Sequence, residues 1–365
     1  MRSIAKQGGN TRLLACIALG GLAAAMLVAV AAIAAARGDA TSPAPAAPTT
    51  ESAANAMPAI AAIGVRIERH LPIPAQAKGP PLETGETYRL EELGRGLYMI
   101  TDNVYQSMFL VYETGVVIVD APPTYADKIL TVIREVTDKP VTHLIYSHAH
   151  VDHIGGATEL GYVPEIVAHV ETKRLLERAR DPRRPVPTLS FQDRHTVAVG
   201  SQTLELSYHG VAHEPGNIFI YLPAQETLMV VDVIFPGWMP WRRFALAQDV
   251  PGYFAQVEEI RRIPFKTLVA GHVARTGTRA DVEVQAEFMR AVKSAAAGAL
   301  ATTRPGAGLA EPVMANPWAV FDDFIDRVAA RCVAELTPGW AGRLAAFDVY
   351  VWDQCYAMEQ SLRID

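Results

Sequence analysis

The chain has 365 residues, half of them hydrophobic, with a formal charge of -6 and a pI near 6.0. That is enough apolar material for one large domain or two modest ones, and it excludes a chain disordered throughout. The acidic balance gives no electrostatic footprint for nucleic acid, and the pairs Arg183-Arg184 and Arg242-Arg243 read as solvated surface.

Arg2, Lys6 and Arg12, with no acid among them, precede an uncharged run from Leu13 to Ala36. The run is longer than the roughly 7 to 15 residues of a signal-peptide core and reaches the roughly 20 that span a bilayer. It is also alanine-rich and ends in small residues that a signal peptidase could cut. Residues 1–36 therefore read as a signal peptide or an N-terminal membrane anchor, with Cys16 a plain membrane cysteine. The positive flank stays inside, so the remainder is exported, to the periplasm or another extracytoplasmic space. Residues 37–84, rich in Ala, Pro, Ser and Thr, read as a disordered linker.

Four short β-branched and aromatic runs follow, Tyr88 to Leu93, Leu97 to Thr101, Val104 to Tyr112 and Val116 to Asp120. Glu113-Thr114-Gly115 has hairpin turn chemistry, so an antiparallel sheet should open the domain. Ala126 to Thr137 has helical spacing and Val141 to Ser147 reads as a strand. Beyond it the patterns give a short helix at Ile154 to Leu160, a strand at Ile166 to His169 and a charged helix at Glu171 to Arg180, broken by Pro182, Pro185 and Pro187. A second strand set comprises Arg194 to Val199, Gln202 to Tyr208, Ile218 to Leu222, Leu228 to Val233 and Thr267 to Ala270, with a helix at about Gly252 to Arg262. From Asp281 the patterns are helical, with a Gly/Pro-rich gap at Ala301 to Pro312. The two halves each run strands then helix, a hint of a duplicated layout.

Cys332 and Cys355 lie on helical patterns joined by Thr337-Pro338-Gly339. Straight antiparallel helices turning there would leave them about 15 Å apart along the axis, too far for a disulfide, so two buried free thiols are expected.

The stretch Ser147 to Gly156, SHAHVDHIGG, concentrates three of the ten histidines beside a carboxylate. If the chain leaving the strand stays extended, His148, His150 and Asp152 face one way, and His153 joins them as the chain turns into a helix. Donors packed this tightly repel one another when protonated, a cost that a divalent metal removes. One loop cannot complete two coordination spheres. His213 in VAHEPGN, Asp232 ending LMVVD and His272 after LVAG are further donors at the ends of buried strands.

With these residues in view, the sequence resembles the metallo-β-lactamase-fold metallohydrolases, whose signature is His-x-His-x-Asp-His, then a separate His, a separate Asp and a final Gly-His. Here the matches are HAHVDH at 148 to 153, His213, Asp232 and Gly271-His272, over about Tyr88 to Asp281. The resemblance implies an α/β fold, an αββα sandwich with helices outside two stacked sheets, to which a helical C-terminal extension is added. Residues 85–281 would form that domain and 282–365 the extension. It implies two zinc ions, with iron or manganese as alternatives. His148, His150 and His213 would hold one ion, Asp152, His153 and His272 the other, and Asp232 would bridge. Asp120, ending GVVIVD, matches the family's structural aspartate beneath the site, and His209, four residues before His213, is a candidate for a similar supporting place.

The implied reaction is hydrolysis of an ester, lactone, thioester or amide bond by hydroxide formed between the metals, with Asp152 both ligand and orienting group. Asp232 stands where one class of β-lactamases has cysteine, and His150 where the oxygen-reducing members have glutamate. A β-lactamase, a mononuclear iron persulfide dioxygenase and a noncatalytic membrane-tethered binding module are the competing readings. The partner expected is a small-molecule substrate, no nucleic acid is expected, and the N-terminal segment leaves membrane contact open; the sequence is silent on oligomeric state. Trp238 and Trp241, in the proline-rich stretch after Asp232, read either as an apolar substrate wall or as packing beneath the C-terminal helices.

Overall fold

The computed structural model describes residues 70–365, so the expected signal or anchor at 1–36 and most of the expected linker lie outside the described residues. Two sheets carry the fold. β1 (Arg89–Gly94), β2 (Leu97–Thr101), β3 (Gln106–Val111), β4 (Val116–Val119), β5 (Val141–Ile145), β6 (Glu165–His169) and β7 (Leu189–Phe191) lie side by side in that order. β8 (Arg194–Val199), β9 (Gln202–Tyr208), β10 (Ile218–Leu222), β11 (Thr227–Val230) and β12 (Thr267–Val269) form the second sheet, again in chain order.

β1 to β4 are antiparallel, and the expected hairpin at 113–115 closes with Tyr112 N donating to Gly115 O at 3.0 Å. From β4 to β7 the pairing is parallel, which requires crossovers; α1 (Ala126–Val136) supplies the first. β11 and β12 are likewise parallel across α4 (Val250–Arg262).

Side-chain alternation shows how the layers stack. In β3, Met108 and Leu110 face a core shared with Ile218 and Ile220 of β10, while Phe109 faces the opposite way, onto the layer of α1. In β11, Met229 points into that shared core and Leu228 and Val230 point out, against α5 (Arg279–Thr302), α7 (Pro317–Trp340) and α8 (Phe347–Ile364). The order is therefore helix, sheet, sheet, helix, as expected. Completing the helices are α2 (Val151–Ile154), α3 (Val170–Ala179) and α6 (Glu311–Met314). The duplicated layout has a backbone counterpart: Asp120 follows β4 and Asp232 follows β11, and both adopt φ near +60° (61° and 62°).

The prolines at 182, 185 and 187 follow the end of α3 as expected, and beyond them β7 adds a strand to those expected, an edge strand that needs only one paired side. The end of the expected linker is packed: Ala77 is buried, its carbonyl accepts from Trp238 Nε1 at 2.9 Å, and Gln76 O accepts from Arg275 Nε at 2.8 Å. A proline-rich segment has few donors to satisfy and can lie in a groove by lending carbonyls.

Cys332 and Cys355, expected as free thiols, form a disulfide with Cα atoms 5.9 Å apart. α7 does not end at Thr337; it carries Pro338 inside its last turn and continues to Trp340, and α8 begins at Phe347. Cys332 thus lies eight residues before one helix end and Cys355 eight after the next start, which puts them at the same height.

Candidate metal centre

β5 delivers the chain to Ser147, whose amide donates to Asp120 Oδ1 at 2.8 Å, and His150 then starts α2. Asp120 thereby fixes the residue before His148. It is fully buried, and burial pushes its carboxyl up to about 6. Gly156 closes this corner: a Cβ there would stand 2.1 Å from the Ala126 Cβ of α1. At the second sheet, Gly271 adopts φ 81° against Val231 and so presents His272 after β12.

The two halves bring all seven expected donors together in two groups, His148, His150, His213 and Asp232, and Asp152, His153 and His272. Within each group the donor atoms lie within 4.8 Å of one another. Asp232 joins them: its Oδ2 is 3.1 Å from His213 Nε2 and 3.2 Å from His153 Nε2, and its Oδ1 is 3.0 Å from His272 Nε2. The inward nitrogens are set from outside. His213 Nδ1 faces the Ala245 carbonyl, so it must carry the proton and leave Nε2 free. His150 turns Nε2 to Glu214 Oε1 at 3.3 Å and Nδ1 inward, 2.9 Å from His213 Nε2. His148 Nε2 is buried without a hydrogen-bond partner, a costly state that a cation beside it would relieve.

Without a cation the cluster polarises. Burial and the His213 charge drive His150 down to about 4, and burial drives His148 well below the usual range. Burial also opposes charge on His153, but Asp232 and Asp152 outweigh it and hold that ring at about 9. Burial likewise opposes charge on Asp232, yet His153, His272 and His213 keep it ionised far below the ordinary range. Protons shared between imidazoles and carboxylates occupy positions that suit divalent metal.

Sequence reasoning missed the supports. Glu214 Oε2 also accepts from Ala149 N at 3.0 Å, tying the loop of His148 and His150 to the loop of His213. Three buried glutamines clamp the site loops. Gln106 bonds Ala270 N, Val273 O and Arg275 O around His272; Gln285 bonds Phe235 N and Val233 O just after Asp232; Gln354 of α8 bonds Pro240 O, Trp241 O and Phe244 N. Glu214 alone left a signal, as a carboxylate beside His213 in an otherwise uncharged stretch. The last clamp holds an unusual turn. Arg243, Phe244, Ala245 and Leu246 all have φ between 52° and 57°. Left-handed backbone costs non-glycine residues roughly 1–2 kcal/mol each, so the turn needs external support.

His209 is not part of this support. Its Nε2 lies 2.9 Å from Ser207 Oγ and its ring stacks on Phe219 with centroids 4.4 Å apart, because Gly210 at φ 85° turns the chain between it and His213. His169 and His195 also sit elsewhere, against Tyr208 and Phe191.

A cavity of about 780 Å³ opens over the cluster. Phe235, Trp238, Met239, Trp241 and Leu246 line one side, Val349 and Tyr350 of α8 another, and Tyr105 stands over His272 with ring centroids 4.9 Å apart. Phe235 and Met239 are buried in the helix-covered core and also line the cavity, which Trp238 and Trp241 line as well. No Lys or Arg lines it among the described residues. Arg242 instead stands 3.6 Å from Asp353, and Arg243 stacks over Tyr356.

Residues 101–272 match the family described as the metallo-beta-lactamase superfamily. The matched stretch carries the two-sheet fold with the His/Asp cluster at its edge, so this part of the chain has the fold of that superfamily. It is similar to the 2,4-dinitroanisole O-demethylase subunit alpha of Nocardioides sp. (strain JS1661), 28% identical over 205 residues, 50% of this chain and 61% of that protein. It is also similar to the metallo-beta-lactamase type 2 of Bacillus cereus, 29% identical over 158 residues, 40% of this chain and 60% of that protein. The chain thus spans about 60% of the length of these curated relatives. Among solved structures, the metallo-beta-lactamase from Pontibacter korlensis aligns with a TM-score of 0.48 and 21% identity, covering 56% of this chain and 99% of that one.

Proposed function

We propose that the protein is an exported, zinc-dependent hydrolase of an ester, lactone, thioester or amide whose body is uncharged and apolar. One observation carries the reading: two donor groups share Asp232 at the floor of an apolar cavity. The donor set, five imidazoles and two carboxylates, suits zinc, with iron and manganese as alternatives. His148, His150 and His213 would hold one ion, Asp152, His153 and His272 the other, with Asp232 between. Two such ions would supply Lewis acidity and an acidified water.

The chain's own residues do the rest. Asp152 is partly exposed and lines the cavity, so its carboxylate can orient water toward a bound carbonyl. Phe235, Trp238 and Met239 exclude water from an apolar arm. The Bacillus cereus relative is named as a β-lactamase, but a β-lactam brings a carboxylate, and no cationic side chain lines this cavity. The Nocardioides relative is named for an aryl methyl ether, so an aryl ether belongs in any substrate panel. Export is supported by the Cys332–Cys355 disulfide, a bond that persists in oxidising compartments, together with the basic and apolar N-terminal sequence.

The test is a panel of aryl esters, long-chain lactones, thioesters, aryl ethers and β-lactams on the metal-loaded protein, with Asp152→Ala as control. Hydrolysis of a neutral apolar substrate, reduced at least about 10²-fold in the variant, is the expected result. An unchanged rate in Asp152→Ala, or turnover confined to β-lactams, contradicts the proposal.

A further inference from the structure

The apolar lining does not stop at the cavity mouth. Val104, Val151, Trp241 and Leu246 all line the cavity, yet they are 55%, 36%, 46% and 45% exposed. Hydrophobic side chains that form a rim and also face water mark a surface that meets something apolar. They come from three separate segments: the loop between β2 and β3, the start of α2, and the left-handed turn.

That turn adds charge of the right kind. Between Trp241 and Leu246, Arg242 and Arg243 are exposed. Tryptophan and leucine flanked by arginine is the composition that settles at the headgroup level of a bilayer, the apolar groups entering the acyl boundary and the guanidinium groups meeting phosphate. Gln354 holds the turn rigidly in this presentation. Asp353 faces Arg242 and the Tyr356 ring faces Arg243, and both arginines remain exposed.

The first described residues pack on α8: Leu71 N donates to Asp348 Oδ2 at 2.8 Å, and Leu71 and Ile73 are themselves exposed. In sequence, the chain before them carries its basic flank and the uncharged run from Leu13 to Ala36. No helix among the described residues is long and apolar enough to cross a membrane, so contact from the described domain would have to be peripheral.

We propose that the cavity mouth docks on a phospholipid bilayer through Trp241 and Leu246, with Arg242 and Arg243 on lipid phosphates, and that the site draws lipophilic substrate from the bilayer. The docking rests on the rim and not on the reaction, so it can fail or stand independently of the hydrolase reading; the substrate source rests on that reading.

The chain contains five tryptophans, none of them in the N-terminal run, so intrinsic fluorescence reports on the folded part. The full chain is mixed with vesicles of phosphatidylcholine and phosphatidylglycerol carrying brominated acyl chains. Docking gives bromolipid quenching that falls at least twofold in Trp241→Phe and is unchanged in Trp318→Phe, whose parent side chain is the most exposed of the five. Leu246→Asp and the double variant Arg242→Glu/Arg243→Glu each reduce the quenching to a similar degree. Absence of quenching, or quenching that follows Trp318, overturns the proposal. So does a concentration-dependent dimer that shields Trp241 without lipid, which would give the rim to a second copy.

Discussion

Glu214 and His150 face each other at 3.3 Å, carboxylate oxygen to Nε2, on the side of the imidazole away from the cluster. The carboxylate fixes the tautomer, so Nδ1 is left to bind metal, and it raises the basicity of that nitrogen. Glu214→Ala should weaken metal binding at the His148, His150 and His213 group by about 10- to 100-fold, and Glu214→Gln should do so less. Competition against a chelator of known affinity measures it. Unchanged affinity in Glu214→Ala would show that the contact orients nothing.

Gln354 reaches the site from the far end of the sequence. Removing its side chain strands buried Phe244 N and Pro240 O, at about 1–3 kcal/mol for each unsatisfied group. The left-handed turn then loses its clamp, and with it the placement of Ala245 O against His213 and of Trp241 in the cavity. Gln354→Ala should lower the unfolding temperature and also raise KM for apolar substrates. Loss of stability with an unaltered KM would confine the clamp to folding.

The disulfide spans a sequence separation of 23. Closing such a loop in the unfolded chain is worth about 3 kcal/mol on the chain-entropy account. The double variant Cys332→Ser/Cys355→Ser should unfold at correspondingly lower denaturant while binding the same amount of metal, since neither cysteine lies at the cluster. A variant as stable as the parent would mean the bond contributes nothing to folding.

Trp238 lines the cavity and hydrogen-bonds Ala77 O through its indole nitrogen. Each buried methylene of a substrate arm adds about 0.8 kcal/mol. For long-chain lactones or aryl esters, kcat/KM should exceed that for penicillins and carbapenems by at least about tenfold, equivalent to roughly 1.4 kcal/mol. Trp238→Ala should lower the first value selectively. Parallel kinetics on both substrate classes decide this, and comparable turnover of a carbapenem would reverse the assignment of substrate.

Much of the cluster was legible because its residues obey simple spacing. His148, His150 and Asp152 alternate along an extended loop, and Asp232 and His272 are polar residues closing runs too apolar to expose. The supports were not legible for the opposite reason. Gln106, Gln285 and Gln354 look like surface residues in a periodic pattern, and only the tertiary fold turns them toward loops that need donors and acceptors. The helix break expected at Pro338 failed because a proline in the last turn costs less than the packing of Leu336 and Trp340 returns. That extension of α7, together with the connection at 341–346 that delays α8 to Phe347, brings level two cysteines that a turn at 337–339 would hold apart. His209 fell to a similar local effect, the reversal at Gly210.

Dependence of activity on a dinuclear metal site at the His/Asp cluster is decided by elemental analysis of the purified protein, coupled to turnover of whichever panel substrate it hydrolyses best. Close to two zinc ions per chain, loss of turnover on treatment with a strong chelator, and recovery on adding zinc are expected. Full activity in protein shown to contain no metal would mean that the cluster is not a catalytic metal site.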